Sequence, residues 1–165
     1  GKFRKFFGFM NWNDYDESLF RKIKNEKGVS REINTSIYCS DRSEEAIRAA
    51  RININSAGLN RQIKTDISDF FNSNADGNKF TIIMNPPYGE RLKESDIASF
   101  YSKVGERMKH GYPGSQAWII SSSSIGLKSV GLKPSKKFTL YNGALESKLV
   151  RYDLFEGTRK SNISG

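Results

Sequence analysis

Asn85, Pro86, Pro87 and Tyr88 follow a short apolar run, and their chemical types suit one kind of reaction. The exocyclic amine of a nucleobase is a poor nucleophile, because its lone pair is delocalised into the ring. The Asn85 side-chain oxygen and the Pro86 carbonyl could accept its two hydrogens and localise that lone pair on nitrogen. The prolines would keep the turn rigid, and Tyr88 could stack on the base. The four residues therefore indicate methyl transfer to a base amine; the alternative is an ordinary strand-ending turn with a buried tyrosine.

Two acidic side chains also come at the ends of apolar runs. In open parallel α/β sheets, ligands bind beyond the carboxyl ends of the strands. Asp41 could accept hydrogen bonds from both hydroxyls of a ribose, and Asp66 could bind an adenine amino group. Asp41 could equally cap the helix that follows it, and Asp66, with Ser68 and Asp69, could cap a short turn. From these residues alone, both interpretations remain open.

The elements that must position these residues alternate along the chain. Short apolar runs predict four strands, at residues 35–39, 62–65, 80–84 and 117–120. Helical periodicity predicts helices at residues 13–27, between Glu44 and Gly58, and around the apolar face of Ile97, Phe100, Val104 and Met108. Strands that alternate with helices of this length predict a parallel α/β sheet with right-handed crossovers.

The last third of the sequence has a different pattern. Phe138–Tyr141, then Asn142-Gly143, then residues 145–155 with alternating polarity predict an antiparallel hairpin closed by a type I′ turn. A basic stretch at residues 128–137 lies between the fourth predicted strand and this hairpin, and its glycine and proline disfavour a long helix there.

Composition limits the classes of protein to consider. The 165 residues predict one domain, and the net charge of +9, from 27 basic and 18 acidic residues, makes nucleic acid the first partner to consider. No apolar run approaches the roughly 20 residues that cross a bilayer, so we expect no membrane partner and a cytoplasmic location. A single cysteine and a single histidine predict no metal site.

The run from Ile37 to Tyr152 resembles the THUMP-associated RNA guanine-N2 methyltransferases, whose bacterial members act on 23S ribosomal RNA. The matching motifs are Ser40-Asp41, Ala49-Ala50-Arg51-Ile52-Asn53, Ala57-Gly58, Asn85-Pro86-Pro87-Tyr88-Gly89-Glu90-Arg91-Leu92 and Leu140-Tyr141-Asn142-Gly143-Ala144-Leu145. Many amino-methyltransferases share Asn-Pro-Pro-Tyr, but the extension at residues 89–92 and the late Asn-Gly hairpin resemble this family in particular. The resemblance implies a Rossmann-like α/β fold of the class I methyltransferase type, with a mostly parallel sheet and a C-terminal antiparallel hairpin.

The resemblance also implies a cofactor, S-adenosyl-L-methionine, and a set of residues that hold it. Asp41 would bind its ribose and Asp66 its adenine, while Arg42, Ile67 and Asn85 would line the same site. The tetrapeptide that begins at Asn85 would hold the target base.

One part of the family pattern is missing from the sequence. The first strand and the glycine-rich loop that cradles the methionine part of the cofactor are not found, nor is the RNA-binding THUMP region. We therefore expect residues 1–165 to be a partial catalytic domain that is inactive alone and is completed by an N-terminal segment or a second chain.

The leading hypothesis is methylation of guanine N2 in 23S ribosomal RNA. An alternative is a DNA adenine-N6 methyltransferase, because the same tetrapeptide can hold either amine. A second alternative is a basic nucleic-acid-binding module without catalytic activity.

Overall fold

The computed structural model describes residues 5–26, 35–87 and 94–156. These residues belong to two compact units, an N-terminal unit (Gly1–Ile67) and a C-terminal unit (Ser68–Gly165). Tyr88 and the extension at residues 89–92 lie outside the described residues. Among the residues that are described, every helix is too short or too polar to span a lipid bilayer.

The N-terminal unit contains two helices and two strands after a short 3-10 helix. In chain order they are the 3-10 helix Gly8–Asn11, α1 (Glu17–Asn25), β1 (Ile37–Asp41), α2 (Glu44–Ala57) and β2 (Ile63–Ile67). The first helix begins later than residue 13, the predicted start, because Asp16 caps it and accepts a hydrogen bond from the Leu19 backbone N–H at 3.0 Å. Both strands continue two residues further than predicted, so Asp41 and Ile67 are their last residues.

β1 and β2 form a parallel two-stranded sheet with α2 on one face. Ile37 lies opposite Ile63, and Asp41 lies opposite Ile67. The Arg51 side chain of α2 donates a hydrogen bond to the Thr65 hydroxyl at 2.9 Å, which ties the helix to this sheet. Gly58 ends α2 with φ of 71°, the left-handed conformation that glycine adopts without steric cost.

The C-terminal unit contains a mixed four-stranded sheet and two helices. Its elements are the 3-10 helix Phe70–Asn72, β3 (Thr81–Met84), α3 (Glu94–Gly111), β4 (Gln116–Ser121), α4 (Ser124–Ser129), β5 (Lys136–Asn142) and β6 (Leu145–Asp153). The strand order is β3-β4-β6-β5; β3 and β4 are parallel, and β6 is antiparallel to both of its neighbours. The predicted α/β class and C-terminal hairpin are confirmed, but the described strands form two sheets and not one.

The core of the C-terminal unit lies between the sheet and helices α3 and α4. The predicted apolar face of α3 is confirmed, since Ile97, Val104 and Met108 are buried. The two helices approach closely at Gly105, where an added Cβ would lie only 1.8 Å from the Val130 carbonyl oxygen. Only glycine fits this contact, so Gly105 sets how tightly α3 packs against the end of α4.

The predicted type I′ turn of the hairpin is wrong. Asn142 pairs with Leu145, so the two loop residues are Gly143 and Ala144. Gly143 has φ of 61°, whereas outside glycine the only positive φ among the described residues belongs to Asp76. A positive φ at the first loop residue alone is the pattern of a type II′ turn, which requires glycine at that position.

Candidate active site

Asp41 is held at the start of α2 by a local hydrogen bond. Its Oδ1 accepts from the Ser43 backbone N–H at 2.8 Å. Ser43, in turn, is the N-cap of the helix, and its hydroxyl accepts from the Ala46 N–H at 3.2 Å. Of the two roles that the sequence left open for Asp41, the helix cap therefore belongs to Ser43. The Asp41 side chain is exposed, and its second carboxylate oxygen is available to a ligand.

Asp66 presents a carboxylate at the carboxyl end of β2. The turn cap that the sequence also allowed for Asp66 is supplied by Asp69, whose carboxylate accepts from the Phe71 N–H at 2.9 Å. The side chain of Asp66 is exposed, and its carboxylate makes no hydrogen bond or ion pair with any residue that the structure describes. Such a carboxylate can accept hydrogen bonds from a ligand without losing an internal partner.

The two aspartates lie together at one edge of the parallel sheet but leave it on opposite faces. Asp66 is the register partner of Ser40, and Asp41 is the partner of Ile67. Because side chains alternate along a strand, Asp41 shares the face of Thr65, which α2 covers, and Asp66 points to the other face. A ligand that contacts both carboxylates must therefore lie beyond the strand ends.

Arg42 and Ile67 complete this edge of the N-terminal unit. Arg42 follows β1 directly and is exposed, and Ile67 ends β2 with 47% of its surface exposed. The edge thus combines two hydrogen-bond acceptors with one apolar side chain. These acceptors and the apolar side chain fit an adenosine group, whose ribose hydroxyls and amine donate hydrogen bonds and whose ring has an apolar face.

Asn85 follows the last residue of β3 and is followed by a buried proline. Its side chain is exposed and makes no hydrogen bond with the described residues, whereas Pro86 is buried and Pro87 is half-buried. The amide therefore lies exposed at the carboxyl end of β3, and neither its oxygen nor its NH2 is engaged by a residue that the structure describes. Pro86 fixes the backbone directly after it, because the ring restricts φ.

The end of β4, beside β3, is fixed by a buried hydrogen bond that the sequence did not reveal. The Tyr101 hydroxyl and the Ser121 hydroxyl lie 2.7 Å apart, and both side chains are fully buried. Ser121 also accepts from the Ser123 N–H at 3.1 Å, and an added Cβ at Gly126 would lie 2.9 Å from the Tyr101 ring. The serine run after an apolar strand was the only local signal of this capped turn.

Tyr152 lies beneath the same helices and is a structural residue. Burial, and to a smaller extent the neighbouring Tyr101, raises the pKa of Tyr152 to about 12. Its hydroxyl donates to the Leu127 carbonyl at 3.4 Å and stays protonated at neutral pH. It therefore stabilises the packing of α4 on the sheet and takes no part in proton transfer.

The structure thus brings the predicted residues together in two groups. Asp41, Arg42, Asp66 and Ile67 meet at one edge of the N-terminal unit, and Asn85, Pro86 and Pro87 follow β3 in the C-terminal unit. The fourth member of the tetrapeptide, Tyr88, is outside the described residues.

This fold is the fold of known methyltransferases. The structure of SMU.472 complexed with SAH matches 96% of this chain and 42% of that chain, with a TM-score of 0.74 and 26% identity. A possible methylase from Clostridium difficile 630 matches 91% of this chain and 40% of that chain, with a TM-score of 0.72 and 27% identity. The SAH in the first of these structures agrees with the cofactor that the sequence predicted.

The family assignment is more specific than the fold. A family model described as UPF0020: RMKL-like, methyltransferase domain, matches residues 1–151. The chain belongs to this family, and the resemblance noted from its motifs is confirmed.

The chain is also similar to two curated proteins named as ribosomal RNA methyltransferases. The ribosomal RNA large subunit methyltransferase K/L of Syntrophotalea carbinolica is 32% identical over 165 residues, which cover 94% of this chain and 23% of that protein. The enzyme of the same name from Methylococcus capsulatus is 31% identical over 93% of this chain and 22% of its own length. The chain therefore spans less than a quarter of either relative.

Proposed function

We propose that this protein transfers a methyl group from S-adenosylmethionine to an exocyclic base amine, the N2 amine of guanine in 23S ribosomal RNA. The observation that carries the proposal is the exposed Asn85 amide at the carboxyl end of β3, which has no hydrogen-bond partner among the described residues and is followed by a buried proline, in a chain of an RMKL-like methyltransferase family. The basic net charge and the ribosomal RNA relatives favour RNA as the substrate.

The tetrapeptide would act on the amine. The Asn85 side-chain oxygen and the Pro86 carbonyl would accept the two amine hydrogens, which localises the lone pair on nitrogen for attack on the methyl carbon. The bond between sulfur and the methyl group breaks, S-adenosylhomocysteine leaves, and the methylated amine loses one proton to water. Pro86 and Pro87 hold these acceptors in place, so the alignment costs little entropy when the base binds. Tyr88 supplies a stacking surface for a base that has left its helix.

The aspartates of the N-terminal unit would hold the cofactor. S-adenosylmethionine supplies an electrophilic methyl group when bound. Asp41 accepts from the ribose hydroxyls, Asp66 accepts from the adenine amine, and Arg42 and Ile67 line the same edge. By the family resemblance, Asn85 would contact the cofactor as well as the base.

Methyl transfer from tritiated S-adenosylmethionine tests this function directly. The complete protein is incubated separately with 23S ribosomal RNA and with duplex DNA, and the labelled nucleoside is identified after digestion. Label in N2-methylguanosine from RNA is the expected result. Label in N6-methyladenine from DNA would establish the alternative enzyme, and binding of RNA without SAH binding in a calorimetric titration would establish a non-catalytic module.

The role of Asn85 needs a matched pair of variants. Asn85→Ala is expected to lower the rate of methyl transfer about 100-fold or more, because one acceptor of the amine is lost, while SAH affinity changes little. Asn78→Ala removes an exposed amide of the same unit that makes no side-chain hydrogen bond with the described residues, and it should keep full activity. Equal activity of the two variants would refute the role given to Asn85.

A further inference from the structure

Positive charge is concentrated in the last part of the C-terminal unit. Residues 128–151 contain six basic residues and one acidic residue, a net charge of +5 out of +9 for the whole chain. The basic residues are Lys128, Lys133, Lys136, Lys137, Lys148 and Arg151. This segment comprises part of α4, the loop after it and most of the β5–β6 hairpin. A net positive charge of this size attracts a polyanion.

The hairpin projects beyond the end of the neighbouring strand. Ser121 and Lys148 form the last pair between β4 and β6, whereas β5 and β6 continue for three more pairs, up to Asn142 and Leu145. Three residues extend the hairpin by about 10 Å. Because β6 is antiparallel to β4, this projection lies at the carboxyl edge of the sheet, the edge that carries Asn85.

One face of the hairpin combines an exposed lysine and a half-buried lysine with an exposed aromatic ring. Lys137, Thr139 and Tyr141 alternate along β5 on the face that also carries Lys148, the partner of Thr139. The side chain of Lys148 is engaged locally, since it donates to the Thr139 hydroxyl at 2.8 Å and lies 2.6 Å from Glu146. Tyr141 is 68% exposed, and its hydroxyl donates to Glu146 at 3.3 Å.

Two exposed cations of this segment, Lys128 and Lys137, lie on the same side of the sheet. Helix α4 packs on the same face of the sheet as Lys137. Lys137 pairs with Val150, and Tyr152, two residues further along β6, points to the same face. The Tyr152 hydroxyl donates to the Leu127 carbonyl of α4. Lys128 follows Leu127 and is exposed, as is Lys137. Within the described part of the chain, neither lysine has an acidic partner within ion-pair distance.

From these observations we infer that the β5–β6 hairpin and α4 form a binding surface for single-stranded RNA, with Lys128 and Lys137 on phosphates and Tyr141 stacked on a base. Cations along a groove combined with an exposed aromatic ring are the features that bind unpaired nucleic acid. The surface lies at the same carboxyl edge of the sheet as the Asn85 amide. Strand β5 is three strand spacings, about 14 Å, from β3. It is therefore suited to hold nucleotides that flank the target. This inference rests on the proposed function for the identity of the partner.

The test measures binding of a short fluorescein-labelled single-stranded RNA to the complete protein, by anisotropy, over a series of salt concentrations and without cofactor. Lys128→Ala/Lys137→Ala is expected to weaken binding and to reduce the slope of log K against log salt by about 1.4, two contacts at about 0.7 each. The matched control is Lys103→Ala/Lys109→Ala. It removes two exposed lysines of α3, and therefore lowers the net charge by the same two units, outside the proposed surface. Equal slopes in the two double variants would overturn the inference.

Tyr141 is tested by a second pair. Tyr141→Ala should weaken binding about fivefold or more through lost stacking, and Tyr141→Phe, which keeps the ring and loses only the bond to Glu146, should bind like the parent protein. Wild-type affinity of the alanine variant would also overturn the inference. A protein that binds RNA through this surface but transfers no methyl group contradicts only the proposed function. Methyl transfer with unchanged KM for RNA in the lysine variant contradicts only the surface.

Discussion

The two units of the chain hold their strand ends by different means. In the C-terminal unit, α3 and α4 bury one face of a four-stranded sheet, and the cluster includes fully buried Tyr101 and Tyr152. Among the described residues of the N-terminal unit, only Ile47 is buried. That unit orders its edge through local hydrogen bonds, in which the Asp41 carboxylate accepts from the Ser43 N–H and the Ser43 hydroxyl accepts from the Ala46 N–H. The residues that follow β3 are thus supported by packing, and the aspartate edge by local hydrogen bonds.

This difference predicts that substitutions in the core of the C-terminal unit have the largest effects. Tyr101→Ala should lower the free energy of unfolding by about 3–5 kcal/mol, because it leaves a cavity and removes the partner of the buried Ser121 hydroxyl. Urea denaturation followed by circular dichroism gives the value. Tyr101→Phe keeps the volume and should cost only about 1–2 kcal/mol, and an equal loss in both variants would show that packing contributes little.

The pH dependence of stability tests how strongly the core of the C-terminal unit buries Tyr152. Since burial raises the pKa of Tyr152 from 10.0 to about 12, the unfolded chain loses this proton first as the pH rises. Stability of the C-terminal unit should therefore be complete below pH 10 and fall by about 1.4 kcal/mol per pH unit towards pH 12. Thermal unfolding of Tyr152→Phe, compared with the parent protein over this range, isolates the contribution. Identical slopes for the two proteins would contradict it.

Removal of the α2 cap tests the local support of the N-terminal edge. Ser43→Ala should destabilise by about 1 kcal/mol, because the Ala46 N–H loses its acceptor, and it should weaken SAH binding, because Asp41 is ordered through the same turn. Chemical denaturation and calorimetric titration measure the two effects. Ser40→Ala, a neighbouring serine in β1, serves as the control, and a larger loss there would argue against the role of the cap.

The smallest effect is expected at an exposed ion pair of α1. Arg21 and Glu17 lie 2.7 Å apart on the surface of the N-terminal unit, with 72% and 64% of their side chains exposed. Arg21→Ala should lower the free energy of unfolding by less than about 1 kcal/mol, because solvent screens the pair. A loss as large as that of the cap variant would mean that this helix is more important to the unit than its exposure indicates.

Several elements could be predicted because their signals are local. The apolar spacing of α3, the Gly58 stop of α2 and the alternation of the hairpin were confirmed. The predicted start of α1 and the predicted turn type were wrong: Asp16 caps α1 after the predicted start at residue 13, and Gly143 is the first loop residue of the hairpin rather than the second. The functions given to Asp41, Asp66 and Asn85 remain predictions.

The sequence by itself determined the family and placed Asp41, Asp66 and Asn85 at or next to strand ends, because both depend on residue types at short spacing. Only the tertiary structure decided how closely α3 and α4 approach at Gly105, which hydroxyl pairs with Tyr101, and how far the hairpin extends beyond β4. These features depend on strand register and on contacts between residues distant in the chain, about which local periodicity carries no information.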